Sequence, residues 1–182
     1  MTTRLSRRDV LKVAATAAPM IVSAKALGLD GPGANEKVTV GLIGLGGRCR
    51  GLSQDCLLVP EMQIVAACDI FKPRVDTFLT TAGKDQNWKG YADFREMIEK
   101  ENLDAVMVET TTHARAWIAC QAMAAGMDVY IEKPMCLTIA EGRHMVNIAR
   151  KYKRVTQVGT QQRSIPLNNW ASDLVKNGTL GK

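Results

Sequence analysis

The chain has 182 residues and a formal net charge of +6, with 46% hydrophobic and 23% charged residues. This composition is typical of a globular protein and argues against a disordered or fibrous chain. Five basic residues and one acid lie within residues 1–26, so the rest of the chain carries a net charge of only +2. The basicity is therefore concentrated at one end, and we expect no nucleic-acid partner.

Residues 1–26 are predicted to be a twin-arginine signal peptide. Ser6–Lys12 reads S-R-R-D-V-L-K, an alanine-rich apolar stretch follows, and Ala24–Ala26 reads A-K-A, a cleavage pattern. A basic amphipathic helix is the alternative, and the stretch is too short for a stable membrane span. We therefore expect export through the twin-arginine translocation machinery, to the periplasm or otherwise out of the cytoplasm. Residues 27–36 are predicted to be a flexible linker.

A glycine-rich turn follows the first apolar strand, which is predicted at Val38–Ile43. The turn reads G-L-G-G-R-C over Gly44–Cys49, and a helix is predicted to begin at Arg48. Glycine allows positive φ and close approach of a ligand, and the amide groups of a helix N-terminus favour a phosphate. The turn nearly matches the dinucleotide fingerprint G-x-G-x-x-G/A, with Cys49 in the third position. A tight turn without a ligand is the alternative for an isolated glycine motif.

Asp69 ends the next apolar run, Met62–Cys68, and lies 25 residues after Gly44. A carboxylate at this distance is expected to accept hydrogen bonds from the ribose hydroxyls of a dinucleotide. The glycine turn and Asp69 together therefore predict a site for NAD or NADP. NAD is favoured because a carboxylate repels a 2′-phosphate, although Lys72 and Arg74 lie nearby in the sequence.

The remaining chain alternates predicted helices and strands. Strands are predicted at 103–109, 127–131 and 155–158, a loop at 83–90, and helices at 73–81, 94–100, 112–126, 139–152 and 166–177. Asp93 with Glu96, and Thr138 with Glu141, match the capping-box pattern of a helix start. This order predicts an α/β fold with a doubly wound parallel sheet, a Rossmann domain over 37–164, followed by a helix within 165–182. Trp117 and Trp170 are expected to pack in the core.

Polar segments follow the later predicted strands as well. The carboxyl ends of parallel strands meet at one edge of an open sheet, which is where ligands bind. The further candidates at this edge are Thr110, Thr111, His113, Glu132, Lys133, Gln161 and Arg163. Alternatives remain open for several of them: Arg48, Gln161 and Arg163 either approach a ligand or face solvent. His113 either packs under a cofactor or is an exposed residue at a helix start.

The chain resembles the Gfo/Idh/MocA oxidoreductases, a family named from glucose–fructose oxidoreductase and inositol dehydrogenase. The resemblance covers 37–182 and rests on G-L-I-G-L-G-G-R at 41–48, A-C-D ending at Asp69, T-T-T-H at 110–113, E-K-P at 132–134 and V-G-T-Q-Q-R-S at 158–164. It implies a nicotinamide cofactor and hydride transfer to or from a C–OH or C=O carbon of a sugar-like or polyol substrate. The candidate cofactor contacts are Gly44, Leu45, Gly46, Gly47, Arg48, Asp69, Thr110, Thr111, His113, Glu132 and Lys133, and the candidate substrate contacts are Gln161 and Arg163.

The same resemblance implies that Lys133 lies beside the reacting carbon as the catalytic residue. A positively charged nicotinamide ring would favour the neutral amine, which can then move a proton to or from a substrate hydroxyl. A surface lysine next to Pro134 is the alternative. Glu132 either pairs with Lys133 or holds a ribose.

Members of the family continue into a C-terminal α+β domain that carries a D-x-x-x-H motif, and this domain is absent from the chain. We therefore expect the N-terminal part of a longer protein, for which a homo-oligomer remains open. Two alternatives to the dehydrogenase are an NAD-dependent glycosidase of the same family, which tends to lack the lysine of E-K-P, and a cofactor-binding fragment without activity by itself.

The five cysteines and two histidines form no C-x-x-C pair or cluster, and we expect no metal site. Cys68 and Cys120 lie in apolar runs and are expected to be buried thiols.

Overall fold

The computed structural model describes residues 33, 36–179 and 181. The chain divides into two compact units, residues 1–37 and 38–182. The predicted signal peptide and nearly all of the predicted linker lie outside the described residues, so both stay predictions. The described residues of the first unit form a short turn, in which the Glu36 N–H donates to the Gly33 carbonyl over 3.0 Å.

The second unit contains a parallel sheet of six strands. They are β1 (Val38–Ile43), β2 (Met62–Cys68), β3 (Lys89–Tyr91), β4 (Ala105–Val108), β5 (Asp128–Glu132) and β6 (Thr156–Gly159). Their spatial order is β3-β2-β1-β4-β5-β6, and every neighbouring pair is parallel. This is the strand order of the Rossmann fold, with the topological switch point between β1 and β4. The predicted fold class is confirmed.

Helices cover both faces of the sheet. They are α1 (Gly47–Leu57), α2 (Lys72–Thr81), α3 (Phe94–Lys100), α4 (Thr112–Ala124), α5 (Ile139–Tyr152) and α6 (Pro166–Lys176), with a 3₁₀ turn at Gln161–Ser164. One core lies between the sheet and α3, α4 and α5, and includes Met97, Ala119 and Met123. The other lies under α1 and α2, and includes Cys49 and Phe78. Apolar strand residues thus bury both faces, as a parallel sheet requires.

Local sequence signals set several helix ends. The predicted capping box before α5 is present: the Thr138 hydroxyl accepts from the Glu141 N–H, and the Glu141 carboxylate accepts from the Thr138 N–H. Gly126 follows the end of α4 with φ +97°, a conformation that favours glycine. Only half of the capping box predicted from Asp93 and Glu96 is present. Asp93 caps α3 through the Arg95 N–H, but Glu96 pairs with Lys100.

Three further expectations fail. Residues 89–90, predicted as loop, begin the three-residue strand β3 beside Ala66–Cys68. Trp117 and Trp170, expected in the core, are 50% and 59% exposed. Helix α6 buries none of its residues. Cys68 is buried as expected, whereas Cys120 is only partly buried.

Candidate functional site

The chain turns sharply at Gly44, directly after β1. Its φ of +92° lies in the region that favours glycine, and its N–H donates to the Cys68 carbonyl over 2.8 Å. A Cβ at this position would lie 2.7 Å from the backbone nitrogen of Thr110. Gly44 is therefore required by the fold itself, because β1, β2 and β4 converge around it.

Gly46 and Gly47 differ from Gly44 because a Cβ added to either would meet no heavy atom within 4 Å. Gly46 is the N-cap residue of α1 with an ordinary φ of −74°, and no side chain caps this helix. The amide groups of the first turn thus lie beside open space, as a bound phosphate requires. Cys49, the unusual third residue of the fingerprint, is buried against the sheet, where its small thiol allows close packing.

The carboxylate of Asp69 ties the end of β2 to the glycine turn. Its Oδ2 accepts from the Leu45 N–H over 2.9 Å, and its Oδ1 accepts from the Phe71 N–H over 3.0 Å. Arg74 donates to Oδ2 over 3.1 Å, and its guanidinium lies over the Phe71 ring. Asp69 is buried at the cleft wall, and each carboxylate oxygen can accept more than one hydrogen bond. The glycine turn and Asp69, which were predicted as separate motifs, are therefore in direct contact through the hydrogen bond from the Leu45 N–H to Asp69.

A cleft of about 440 Å³ opens at the carboxyl ends of β1, β2 and β4. It brings together six of the predicted residues, namely Gly44, Gly46, Asp69, Thr110, Thr111 and His113. Leu45 is buried beneath the turn and contributes its backbone N–H to Asp69. The open backbone at Gly46 and Gly47 and the Asp69 carboxylate beside the turn fit a dinucleotide at the switch point.

His113 is exposed on the first turn of α4, and its Nδ1 lies 3.1 Å from the Thr111 hydroxyl. This hydrogen bond fixes the ring at the cleft wall, and both alternatives for His113 stay predictions.

One wall of the cleft was not expected from the sequence. Ile70 is 93% exposed there, and Trp117 lies beside it on α4. The guanidinium of Arg95 is 6.0 Å from the centre of the Trp117 ring and 5.9 Å from that of Phe94. Exposed apolar surface beside an aromatic ring and a cation can accept the flat face of a base. The sequence shows large apolar side chains at both positions, directly after β2 and within α4, but it gave no sign that they are exposed, and Trp117 was expected in the core.

Arg48 and Glu132 form an ion pair next to the cleft, with 3.0 Å between Nε and Oε2. The Glu132 side chain is only 5% exposed, and its charge raises the pKa of Arg48. The hydroxyl of Tyr130 lies beside the same guanidinium. A Cβ at Gly159 would collide with that hydroxyl, so β6 approaches closely only because residue 159 is glycine. Glu132 therefore pairs with Arg48 rather than with Lys133.

Glu109 is a second acid at the carboxyl edge of the sheet, and from the sequence it was predicted only as the last residue of a strand. It is 8% exposed, and neither of its carboxylate oxygens has a hydrogen-bond partner among the described residues. Burial and the charge of Glu132 raise its pKa to about 7. Its backbone N–H donates to the Ile43 carbonyl, which places it beside the glycine turn.

Lys133 is exposed after β5, and its peptide bond with Pro134 is cis. Buried Arg115 on α4 donates from Nη1 to the Pro134 carbonyl over 2.8 Å. Arg115 therefore fixes the E-K-P turn to the helix that begins at the cleft. This contact has no local sequence signal, because 19 residues separate the partners.

Gln161 and Arg163 do not line the cleft. Gln161 is partly buried in the 3₁₀ turn, and Arg163 lines a separate polar groove against α6, together with Asn168 and Asp173. Their predicted approach to a substrate stays a prediction.

None of the helices in the described residues has the length and apolar character needed to cross a membrane. Residues 36–179 also contain no group of three or more metal-ligating side chains.

Comparisons with known proteins agree with this geometry. A family model described as "Oxidoreductase family, NAD-binding Rossmann fold" matches residues 38–160. The chain is 30% identical over 145 residues to the myo-inositol 2-dehydrogenase of Thermotoga maritima, which covers 79% of this chain and 42% of the relative. It is 31% identical over 180 residues to a glycosyl hydrolase family 109 protein of Solibacter usitatus. This match covers 91% of this chain and 39% of the relative.

A similar structure is that of myo-inositol 2-dehydrogenase from Lactobacillus plantarum. It has a TM-score of 0.72 at 25% identity, and the match covers 80% of this chain and 43% of that one. The chain therefore spans about two fifths of the length of these relatives. The match over residues 38–160 is more than half of the chain. The chain belongs to the Gfo/Idh/MocA oxidoreductase family, and this match covers its NAD-binding Rossmann fold.

Proposed function

We propose that this chain is the nucleotide-binding part of an NAD-dependent oxidoreductase that acts on a C–OH or C=O carbon of a sugar or polyol. The observation that carries the proposal is the contact between Asp69 and Leu45, which joins the carboxylate at the end of β2 to the open glycine turn. Relatives named inositol 2-dehydrogenase support a polyol as the substrate class.

The residues around the cleft have different roles in this proposal. The backbone at Gly46 and Gly47 holds the pyrophosphate, because no atom of the described residues lies within 4 Å of a Cβ built at either glycine. Asp69 accepts from the ribose hydroxyls of the adenosine half. Thr110, Thr111 and His113 line the cleft between this half and the nicotinamide half.

Bound NAD supplies the hydride acceptor, or the donor in the reverse direction. Lys133 removes the proton from the substrate hydroxyl in the oxidation and returns it in the reduction. Arg115 is a positioning residue, because it holds the backbone of the E-K-P turn through the Pro134 carbonyl.

NAD is proposed over NADP because the buried Asp69 carboxylate would face a 2′-phosphate. Arg74 reduces this discrimination, since its half-exposed guanidinium lies 3.1 Å from the same carboxylate. The substitution Asp69→Asn should weaken NAD binding at least tenfold and NADP binding less. Equal losses for both cofactors in a titration would show that Asp69 acts only by holding the turn.

We also propose that turnover needs residues outside this chain, because the relatives' matched region is about two fifths of their length. The test has two parts. The chain is titrated with NAD, and NADH formation is then followed at 340 nm with myo-inositol and a panel of sugars. We expect binding without steady turnover in this chain, and turnover in a longer product of the same reading frame that Lys133→Met abolishes. Steady turnover by the 182-residue chain that is lost in Lys133→Met would contradict this proposal.

A glycosidase is the second candidate, because proteins named glycosyl hydrolase family 109 match 65–91% of this chain at 30–32% identity. Lys133 argues against it, since such glycosidases tend to lack this lysine. The two candidates differ in their products. A dehydrogenase produces one NADH for each substrate oxidised, whereas the glycosidase releases a nitrophenol from a nitrophenyl glycoside with no net NADH.

Export in the folded state is proposed from Ser6–Lys12 and the A-K-A pattern. Substituting both Arg7 and Arg8 with lysine should retain the precursor in the cytoplasm. Mature protein that still reaches the periplasm in the double variant would exclude the twin-arginine route.

A further inference from the structure

Glu109 carries a buried charge that the proposed reaction does not use. It follows β4 directly, lines the cleft, and has no hydrogen-bond partner on either carboxylate oxygen among the described residues. Arg48, one of the two arginines whose charge acts on Glu109, is already bound to Glu132 over 3.0 Å. A buried carboxyl group without a partner is costly, and its position beside a ligand cleft calls for a functional explanation.

Several titratable or charged groups face Glu109 from the surrounding elements. On α1 they are Arg48, Cys49 and Cys56, on α4 Arg115, and on β5 Tyr130 and Glu132. Asp69 and His113 line the same cleft. The two arginines favour the ionised form of Glu109, whereas burial and Glu132 favour the protonated form. These opposing effects raise its pKa to about 7, so both forms are populated near neutral pH.

We propose that Glu109 is a proton-binding group of the cofactor site that makes the site prefer NAD⁺ over NADH increasingly as the pH rises. This inference rests on the proposed function, because it requires the nicotinamide cofactor to bind in the cleft.

The topology assigns Glu109 to the nicotinamide half of the site. Asp69 ends β2 on one side of the switch point, whereas Glu109 ends β4 on the other side, toward β5 and the E-K-P turn. In a Rossmann fold the two nucleotides occupy the two sides of this point. The adenosine, ribose and phosphate groups are identical in NAD⁺ and NADH. Only the nicotinamide charge differs between the two cofactors.

The sign of the effect follows from this single charge. An ionised Glu109 attracts the positive ring of NAD⁺, and a protonated Glu109 does not, whereas the neutral ring of NADH responds weakly to either form. By linkage, NAD⁺ lowers the pKa of Glu109 and releases its proton to the solvent. A decrease of one pKa unit corresponds to a tenfold change in the ratio of the two affinities.

The experiment measures the dissociation constants of NAD⁺ and NADH for the 182-residue chain between pH 5.5 and 8.5. We expect the ratio Kd(NADH)/Kd(NAD⁺) to rise about tenfold over this interval. In Glu109→Gln, whose amide imitates the protonated acid, the ratio should stay at the low-pH value of the wild type at every pH.

His113 is the matched control, because it lines the same cleft as Glu109. The pH dependence should persist in His113→Asn. A ratio that still rises in Glu109→Gln but is constant in His113→Asn would overturn the proposal, as would a constant ratio in the wild type.

A second measurement needs no variant. Calorimetric titrations at pH 7 in two buffers of different ionisation enthalpy give the number of protons released on binding. NAD⁺ should release a fraction of a proton and NADH clearly less, and equal release would contradict the role of Glu109. If the folded chain binds neither cofactor, the proposed function itself fails and the inference fails with it. Binding of both with a constant ratio removes only the inference.

Discussion

The glycines of the turn provide the sharpest test, because Gly44 and Gly46 are predicted to fail in opposite ways. In Gly44→Ala, a φ of +92° and a Cβ 2.7 Å from the Thr110 nitrogen act together against folding. Backbone strain of this kind costs about 1–3 kcal/mol, and the contact with a backbone atom adds to it. We expect the free energy of unfolding to fall by about 3 kcal/mol. For a domain of this size the melting temperature then falls by roughly 6–12 °C.

Gly46→Ala should leave stability almost unchanged. Its φ is −74°, and the added methyl group meets no protein atom within 4 Å. The same methyl group would project into the space assigned to the pyrophosphate. We expect NAD to bind at least tenfold more weakly, which corresponds to about 1.4 kcal/mol.

The assay combines urea unfolding followed by circular dichroism with titration of NAD by tryptophan fluorescence. Gly51→Ala is the control, because its added methyl group also meets no described protein atom within 4 Å but lies further along α1, outside the glycine turn. A folded Gly46→Ala variant that binds NAD as tightly as the wild type would refute the assignment of the pyrophosphate to this turn.

Three further results are expected. Arg115→Met removes the donor to the Pro134 carbonyl from a buried position and should lower stability by about 2 kcal/mol in urea unfolding, so unchanged stability would contradict its positioning role. The pKa of Glu109 is raised from 4.5 in the unfolded chain to about 7 in the folded one. The native state therefore binds more protons than the unfolded state between pH 4.5 and 7, and the free energy of unfolding should fall by about 3 kcal/mol as the pH rises through this interval. Glu109→Gln should remove this decrease. If the free energy of unfolding changed with pH in the same way in the variant and the wild type, this prediction would be contradicted. Arg95→Ala should weaken NAD several-fold without lowering stability, because its exposed guanidinium lies over the Trp117 ring at the cleft; an unchanged Kd would exclude this wall from the adenine site.

Local sequence signals were sufficient for the parts of the site that depend on neighbouring residues. The apolar run, the glycines and the spacing to Asp69 predicted the turn at Gly44 and the acid at the end of β2. The Thr138–Glu141 pattern likewise predicted a helix start, because a capping box involves only residues three apart.

Parts that depend on distant residues were not predictable in this way. Strand β3 has only three residues and no apolar run, and it forms because β2 offers it an edge. The Arg48–Glu132 pair joins residues 84 positions apart. The lack of a hydrogen-bond partner for Glu109 among the described residues depends on distant neighbours and has no signal in the local sequence.

The most direct test of the central claim is an amide chemical-shift map of the ¹⁵N-labelled chain as NAD is added. We predict that the perturbed amides concentrate at Gly44–Arg48, Asp69–Phe71 and Thr110–His113, since these segments form the cleft at the carboxyl ends of β1, β2 and β4. A folded chain whose spectrum does not change with NAD, or changes only away from these three segments, would contradict the claim that the cofactor binds at this switch point.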